Sequence, residues 1–135
     1  MNRYPWLDAY LLAKPGAEKD FKAEWGWLRY RVAERLFAAV CCPDERYGPH
    51  AGREMVILKC EPALCELLRA QYADVVPGFY SDKRHWNSVY LDGAVPEAVL
   101  RGMCDQSYRL VVEKLPKWRQ RELQEGAPGI SGRSE

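Results

Sequence analysis

The sequence predicts an α+β domain of two layers, an antiparallel sheet with helices packed on one of its faces. Strand-like segments follow one another directly instead of alternating with helices, as a parallel doubly wound sheet would require. Stripes of apolar residues at helical spacing stand before, between and after those segments. At 135 residues, with 47% hydrophobic and 29% charged side chains, the chain can build one core and would starve a second.

Taken in order, Pro5 suits a first helical turn, and Trp6, Leu7, Tyr10 and Leu11 then recur on one helical face until Pro15-Gly16 ends it. Residues 27–32 alternate, with Leu28, Tyr30 and Val32 on one side and Trp27, Arg29 and Arg31 on the other, the pattern of a half-buried strand. A turn at Ala33-Glu34 leads to 36–42, which is apolar on both sides and reads as an inner strand stopped by Pro43. Residues 43–52, with two prolines and two glycines, form a loop. A strand is predicted at 55–60. Pro62 opens a helix with the stripe Leu64, Leu67, Leu68 and Tyr72.

Strands at 75–80 and 86–91 follow, then an Asp92-Gly93 turn. The last long helix spans 96–115, with Leu100, Met103, Cys104, Ser107, Tyr108 and Val111 inward, and Pro116 breaks it. The predicted organisation is a single domain over 1–117, a helical extension over 118–125, and a disordered tail over 126–135, where Gly, Ser and Pro leave nothing to bury. If helices cover one face, the other presents Trp27, Arg29, Arg31, Trp86 and Tyr90 to solvent, in a register that a one-residue slip would invert.

Twenty Lys and Arg against nineteen Asp and Glu give a net charge of +1, so no global field draws in phosphate polymers or anionic membrane. No apolar run near the start is long enough for a signal sequence or a membrane span. Five cysteines without framework spacing predict reduced thiols, and a cytoplasmic location is expected. The sequence lacks G-x-S-x-G, P-loop and G-x-G-x-x-G motifs, and neither His50 nor His85 has a nucleophile at recognisable spacing. No catalytic residue, metal site or cofactor is assigned: vicinal Cys41 and Cys42 point to opposite faces of a strand, and Cys60 with Cys65 is half of a tetrahedral set at most.

The stretch Pro77-Gly78-Phe79-Tyr80-Ser81-Asp82-Lys83-Arg84-His85-Trp86-Asn87-Ser88-Val89, followed by Leu91-Asp92-Gly93, resembles the signature of the MmcQ/YjbR family. Supporting matches are Pro15-Gly16 with Asp20-Phe21, Arg35-Leu36-Phe37-Ala38, Leu58-Lys59-Cys60-Glu61-Pro62, and Ser107-Tyr108 through Leu115-Pro116-Lys117. Tyr80 and Asp82 depart from the His and Asn frequent in members, and Glu61 replaces the usual capping Asp. The resemblance implies a fold akin to the frataxin-type (CyaY-like) sandwich and DNA binding through a double-wing arrangement, and it brings in no catalytic residue.

Lys83, Arg84, His85, Trp86 and Asn87, with Arg29 and Arg31 on the predicted open face, therefore form the candidate nucleic-acid site. Cations hold phosphates and an indole stacks on bases, a pairing suited to single strands. Nearby Asp82 and Asp92 weaken the field, so the expected binding is weak and largely independent of sequence. The alternative is a protein-interaction module, in which Trp27, Trp86 and Tyr90 bury against a protein partner or a second copy of the chain.

Overall fold

The computed structural model describes residues 2–44, 48, 51–78 and 82–125. The expectations for the tail, for His50 and most of the 43–52 loop, and for Phe79, Tyr80 and Ser81 fall outside those residues. Helix α1 (Leu7–Leu12) follows Pro5 and buries Leu7 and Leu11. Strands β1 (Glu18–Lys22), β2 (Trp27–Val32) and β3 (Arg35–Cys41) then form an antiparallel meander. Strand β4 (Met55–Lys59) pairs with β3, and helix α2 (Pro62–Gln71) leads to the short β5 (Val75–Pro77). Strand β6 (Trp86–Tyr90) inserts between β4 and β5, giving the six-stranded order β1-β2-β3-β4-β6-β5. Helix α3 (Glu97–Val112) crosses β2, β3 and β4, and after Pro116 the chain forms α4 (Lys117–Glu125).

The α+β architecture, with an antiparallel sheet and its helices on one face, is as the sequence predicts. Leu28, Tyr30 and Val32 of β2 face α1 and α3, whereas Trp27 lies on the opposite side. Pairing jumps from Tyr30↔Ala38 to Arg31↔Leu36, leaving Phe37 as a bulge. The extra residue lets Phe37 and Ala38 both enter the helix-side core, while Leu36 and Ala39 face the other way. Ala33 and Glu34 join β2 to β3 in the left-handed region, at φ of 49° and 67°, the geometry that matches the twist of a two-residue hairpin.

The second sheet face is not open, which corrects the expectation. Trp27 and Tyr90 keep only 5% and 6% of their surface exposed, and with Ala39, Cys41, Met55 and Ile57 they form a second apolar cluster. The reason is visible in β3 and β4, whose runs are apolar on both sides, as in strands buried on both faces. Strand β1 carries a single apolar side chain, Phe21, so it has no period to detect and is absent from the sequence reading. In α2 the inward position expected for Leu67 belongs to Cys65; Leu67 is 58% exposed. The expectation of reduced thiols fails at one pair, because Cys60 and Cys65 are joined by a disulfide, while Cys41, Cys42 and Cys104 are free.

Candidate functional site

The turn before β6 is built by Asp82. One of its carboxylate oxygens accepts the Arg84 N–H at 2.9 Å, its carbonyl accepts the His85 N–H at 3.1 Å, and Oδ2 meets His85 Nδ1 at 2.6 Å. An aspartate folding the next residues around itself in this way makes an Asx-type turn. The hydrogen bond from His85 holds the Asp82 carboxyl below its ordinary range. With Nδ1 engaged, the imidazole is left with Nε2 for any other contact.

Five further hydrogen bonds fix the turn to the sheet and to α2. The His85 carbonyl accepts the Cys60 N–H at 2.8 Å, and the Gly78 N–H donates to the Trp86 carbonyl at 3.0 Å. A Cβ added at Gly78 would stand 3.0 Å from the Cβ of Trp86, a tight approach at which Trp86 would have to give by a few tenths of an ångström. From α2, Arg69 donates to Asn87 Oδ1 at 2.6 Å, to the Trp86 carbonyl at 3.2 Å and to the Lys83 carbonyl. Asn87 is fully buried and gives its own amide N–H to the Cys65 carbonyl at 3.3 Å.

Two open grooves flank this turn and meet at Pro62, the first residue of α2. The larger, about 450 Å³, is lined by Lys59, Glu61, Asp82, His85, the half-buried Trp86, and Leu110 and Lys114 from α3 and its end. The smaller, about 230 Å³, is lined by Ala63, Glu66, Arg69, Lys83 and Arg84. Among the described residues, none of Lys59, Lys83, Arg84 and Lys114 has a carboxylate within ion-pair distance, so all four charges are available to a ligand. Glu61 has the extended backbone of an N-cap but makes no side-chain cap, which leaves the positive end of α2 turned towards the grooves.

The structure thus brings together Lys83, Arg84, His85 and Trp86 and separates the other three predicted residues from them. Asn87 lies beneath the site as part of its frame, and its burial rules it out as a surface contact. Arg29 grips Asp20 through two hydrogen bonds of 2.8 Å, and Arg31 reaches the same carboxylate at 3.0 Å. Strands β3 and β4 lie between these arginines and β6, three strand spacings or roughly 14 Å across the sheet. The predicted protein-binding surface also changes character, since Trp27 and Tyr90 are in the second core while Trp86 borders the larger groove.

Sequence reasoning missed Lys59, Lys114 and Arg69. Lys59 pairs directly with Trp86 across β4 and β6, and Lys114 lies just past the end of α3, one turn after Leu110. Arg69 was detectable in principle, four residues after Cys65 and three before Tyr72 on the inward stripe of α2.

A two-layer α+β domain with a cationic, indole-lined groove where β4 passes into α2 is the class of molecule that fold and site define. The chain belongs to the YjbR family, whose model matches residues 12–110. It is 38% identical over 114 residues to YjbR of Escherichia coli (strain K12), described as an uncharacterized protein, with 84% of this chain and 91% of that one covered. The uncharacterized protein YyaQ of Bacillus subtilis (strain 168) is 33% identical over 61 residues, covering 45% of this chain and 51% of its own.

Among solved structures, the crystal structure of Deinococcus radiodurans protein DR2400 superposes with a TM-score of 0.73 at 28% identity, covering 92% of this chain and 89% of that one. A Pseudomonas syringae protein shares the fold with a TM-score of 0.67 at 23% identity, covering 82% and 98%.

Proposed function

We propose that the chain binds nucleic acid through the two grooves that meet at Pro62, weakly and with little sequence preference. The observation that carries this reading is the set of four cations without an ion-pair partner among the described residues, Lys59, Lys83, Arg84 and Lys114, arranged around the partly exposed Trp86 and His85. Ammonium and guanidinium groups neutralise backbone phosphates, and an indole bordering a groove offers an unstacked base a surface to stack on. The positive end of α2 adds to the same field. A single strand suits the geometry better than a duplex, because its bases are free to enter a cleft.

Charge elsewhere supports the choice of groove. A cavity of about 400 Å³ between α4 and the β2–β3 turn is lined by Glu18, Glu34 and Glu122 against Arg119 alone, and it repels a polyanion. Glu61 and Glu66 on the groove walls keep affinity modest and oppose any single tightly held phosphate. The proposal assigns the protein to the cytoplasm, where nucleic acid is at hand, and DNA and RNA are both eligible strands. No helix among the described residues is long and apolar enough to cross a membrane.

The test is a titration of labelled single- and double-stranded oligonucleotides at about 50 and 200 mM salt. Four phosphate contacts on a single strand predict an affinity loss of roughly fifty-fold across that range. Lys83→Glu/Arg84→Glu is expected to weaken binding by about ten-fold or more and to flatten the salt dependence. Absence of binding by the unaltered chain, or indifference to the charge reversal, overturns the reading.

A further inference from the structure

We propose that β1 is the pairing edge of a two-fold homodimer, in which the strands of two copies run antiparallel and extend the sheet across the interface. The two edges of the sheet differ. β5 is three residues long and ends in Pro77, which has no N–H to donate. β1 is five residues long, contains no proline, and leaves one side of its backbone without a neighbouring strand among the described residues. On it and in the turn beside it stand two of the most exposed aromatic side chains among the described residues, Phe21 at 63% and Trp25 at 54%. The occupant is a second copy of the chain because the strand's own charges complement themselves under a two-fold axis.

With Asp20 of one copy opposite Asp20 of the other, all five residues of β1 find partners. Glu18 then faces Lys22 of the second copy, and Lys22 faces its Glu18, so opposite charges meet at both ends. Lys19 meets Phe21 of the second copy on the helix-side face, and its alkyl stem covers a ring now in water. The central Asp20 pair does not repel strongly, because each carboxylate is already held by Arg29 and Arg31 of its own chain. Sliding one copy by two residues, the step that keeps both helix layers on one side, leaves only three residues of each strand paired; one direction sets Glu18 against Asp20 and Lys19 against itself, and the other sets Asp20 against Lys22 and Phe21 against itself. The full five-residue overlap and the end charges together therefore favour the register centred on Asp20, where edge charges usually serve only to prevent pairing.

The full chain is studied by sedimentation velocity from about 5 to 200 μM, a range that brackets a dissociation constant in the micromolar region, with a species of twice 15.6 kDa expected. Glu18→Lys alone and Lys22→Glu alone each place like charges at both ends of the interface, and each is expected to raise the dimer dissociation constant by about ten-fold or more. The double variant restores the opposite-charge pairs and the dimer. An equimolar mixture of the two single variants is expected to form the mixed dimer, since a strand with lysine at both ends then meets a strand with glutamate at both ends. Both positions are exposed or half-exposed, and circular dichroism verifies that every variant is folded. A monomer at all concentrations, single variants that dimerise like the unaltered chain, or a mixture without pairing overturns the proposal.

Discussion

Arg69 is the residue on which the motif turn most depends. Its planar guanidinium reaches two backbone carbonyls and the Asn87 amide oxygen at once, and no other residue type offers that fork from a helix at this distance. Arg69→Ala leaves a buried amide oxygen and a backbone carbonyl without their donor, and a loss of about 2 kcal/mol in a urea unfolding titration is expected. Arg69→Lys should recover less than half of that, because an ammonium cannot serve all three acceptors. A variant as stable as the unaltered protein would show that the turn holds itself through Asp82 alone. The residue scale is also where the sequence was least legible. Lys83, Arg84, His85 and Trp86 are adjacent in the chain and stand out together, whereas Arg69 and Lys59 become their neighbours only after α2 packs and β4 pairs with β6.

At the scale of elements, the junction of β4 with α2 holds the site together. Cys60 follows the strand and donates its N–H to the His85 carbonyl, and Cys65, in the first turns of the helix, accepts from Asn87 through its own carbonyl. The disulfide between them closes a short loop on which both contacts depend. Cys60→Ser/Cys65→Ser is expected to cost about 2 kcal/mol, the chain-entropy value for a loop this small. Alkylation in denaturant before reduction should label three of the five cysteines, since Cys41 and Cys104 are buried in the folded chain. Labelling of all five, together with identical urea midpoints with and without a dithiol reductant, would count against the bond. Spacing in the sequence put Cys60 and Cys65 close to each other, yet it could not distinguish neighbours from partners, since proximity and oxidation are separate facts. β1 was unreadable for another reason: a charged edge strand with one apolar side chain carries no periodic signal, and its pairing with β2 alone defines it.

For the molecule as a whole, the decisive feature is that the sheet separates two apolar clusters. Ile57 sits at 1% exposure in the cluster away from the helices, so Ile57→Ala is expected to lower stability by about 3 kcal/mol, measured by chemical denaturation. A change under about 0.5 kcal/mol, the size usual for surface positions, would restore the open face that the alternation of β2 suggested. That alternation assigns the two sides of β2 as the structure has them. What it could not reveal is whether the second side is covered, because coverage depends on segments distant in the chain, and a Trp suits both a shielded and an exposed surface.

The insertion of β6 between β4 and β5 bears on how the polypeptide matures as it leaves the ribosome. The first three strands can zip into hairpins as soon as they emerge, since each pairs with its immediate successor. Met55 to Lys59, four of its five residues apolar, must instead wait with one flank bare until Trp86 to Tyr90 has been synthesised. During that interval the nascent chain carries a sticky, unsatisfied ribbon, and the segment that ends the wait is the one bearing the family signature.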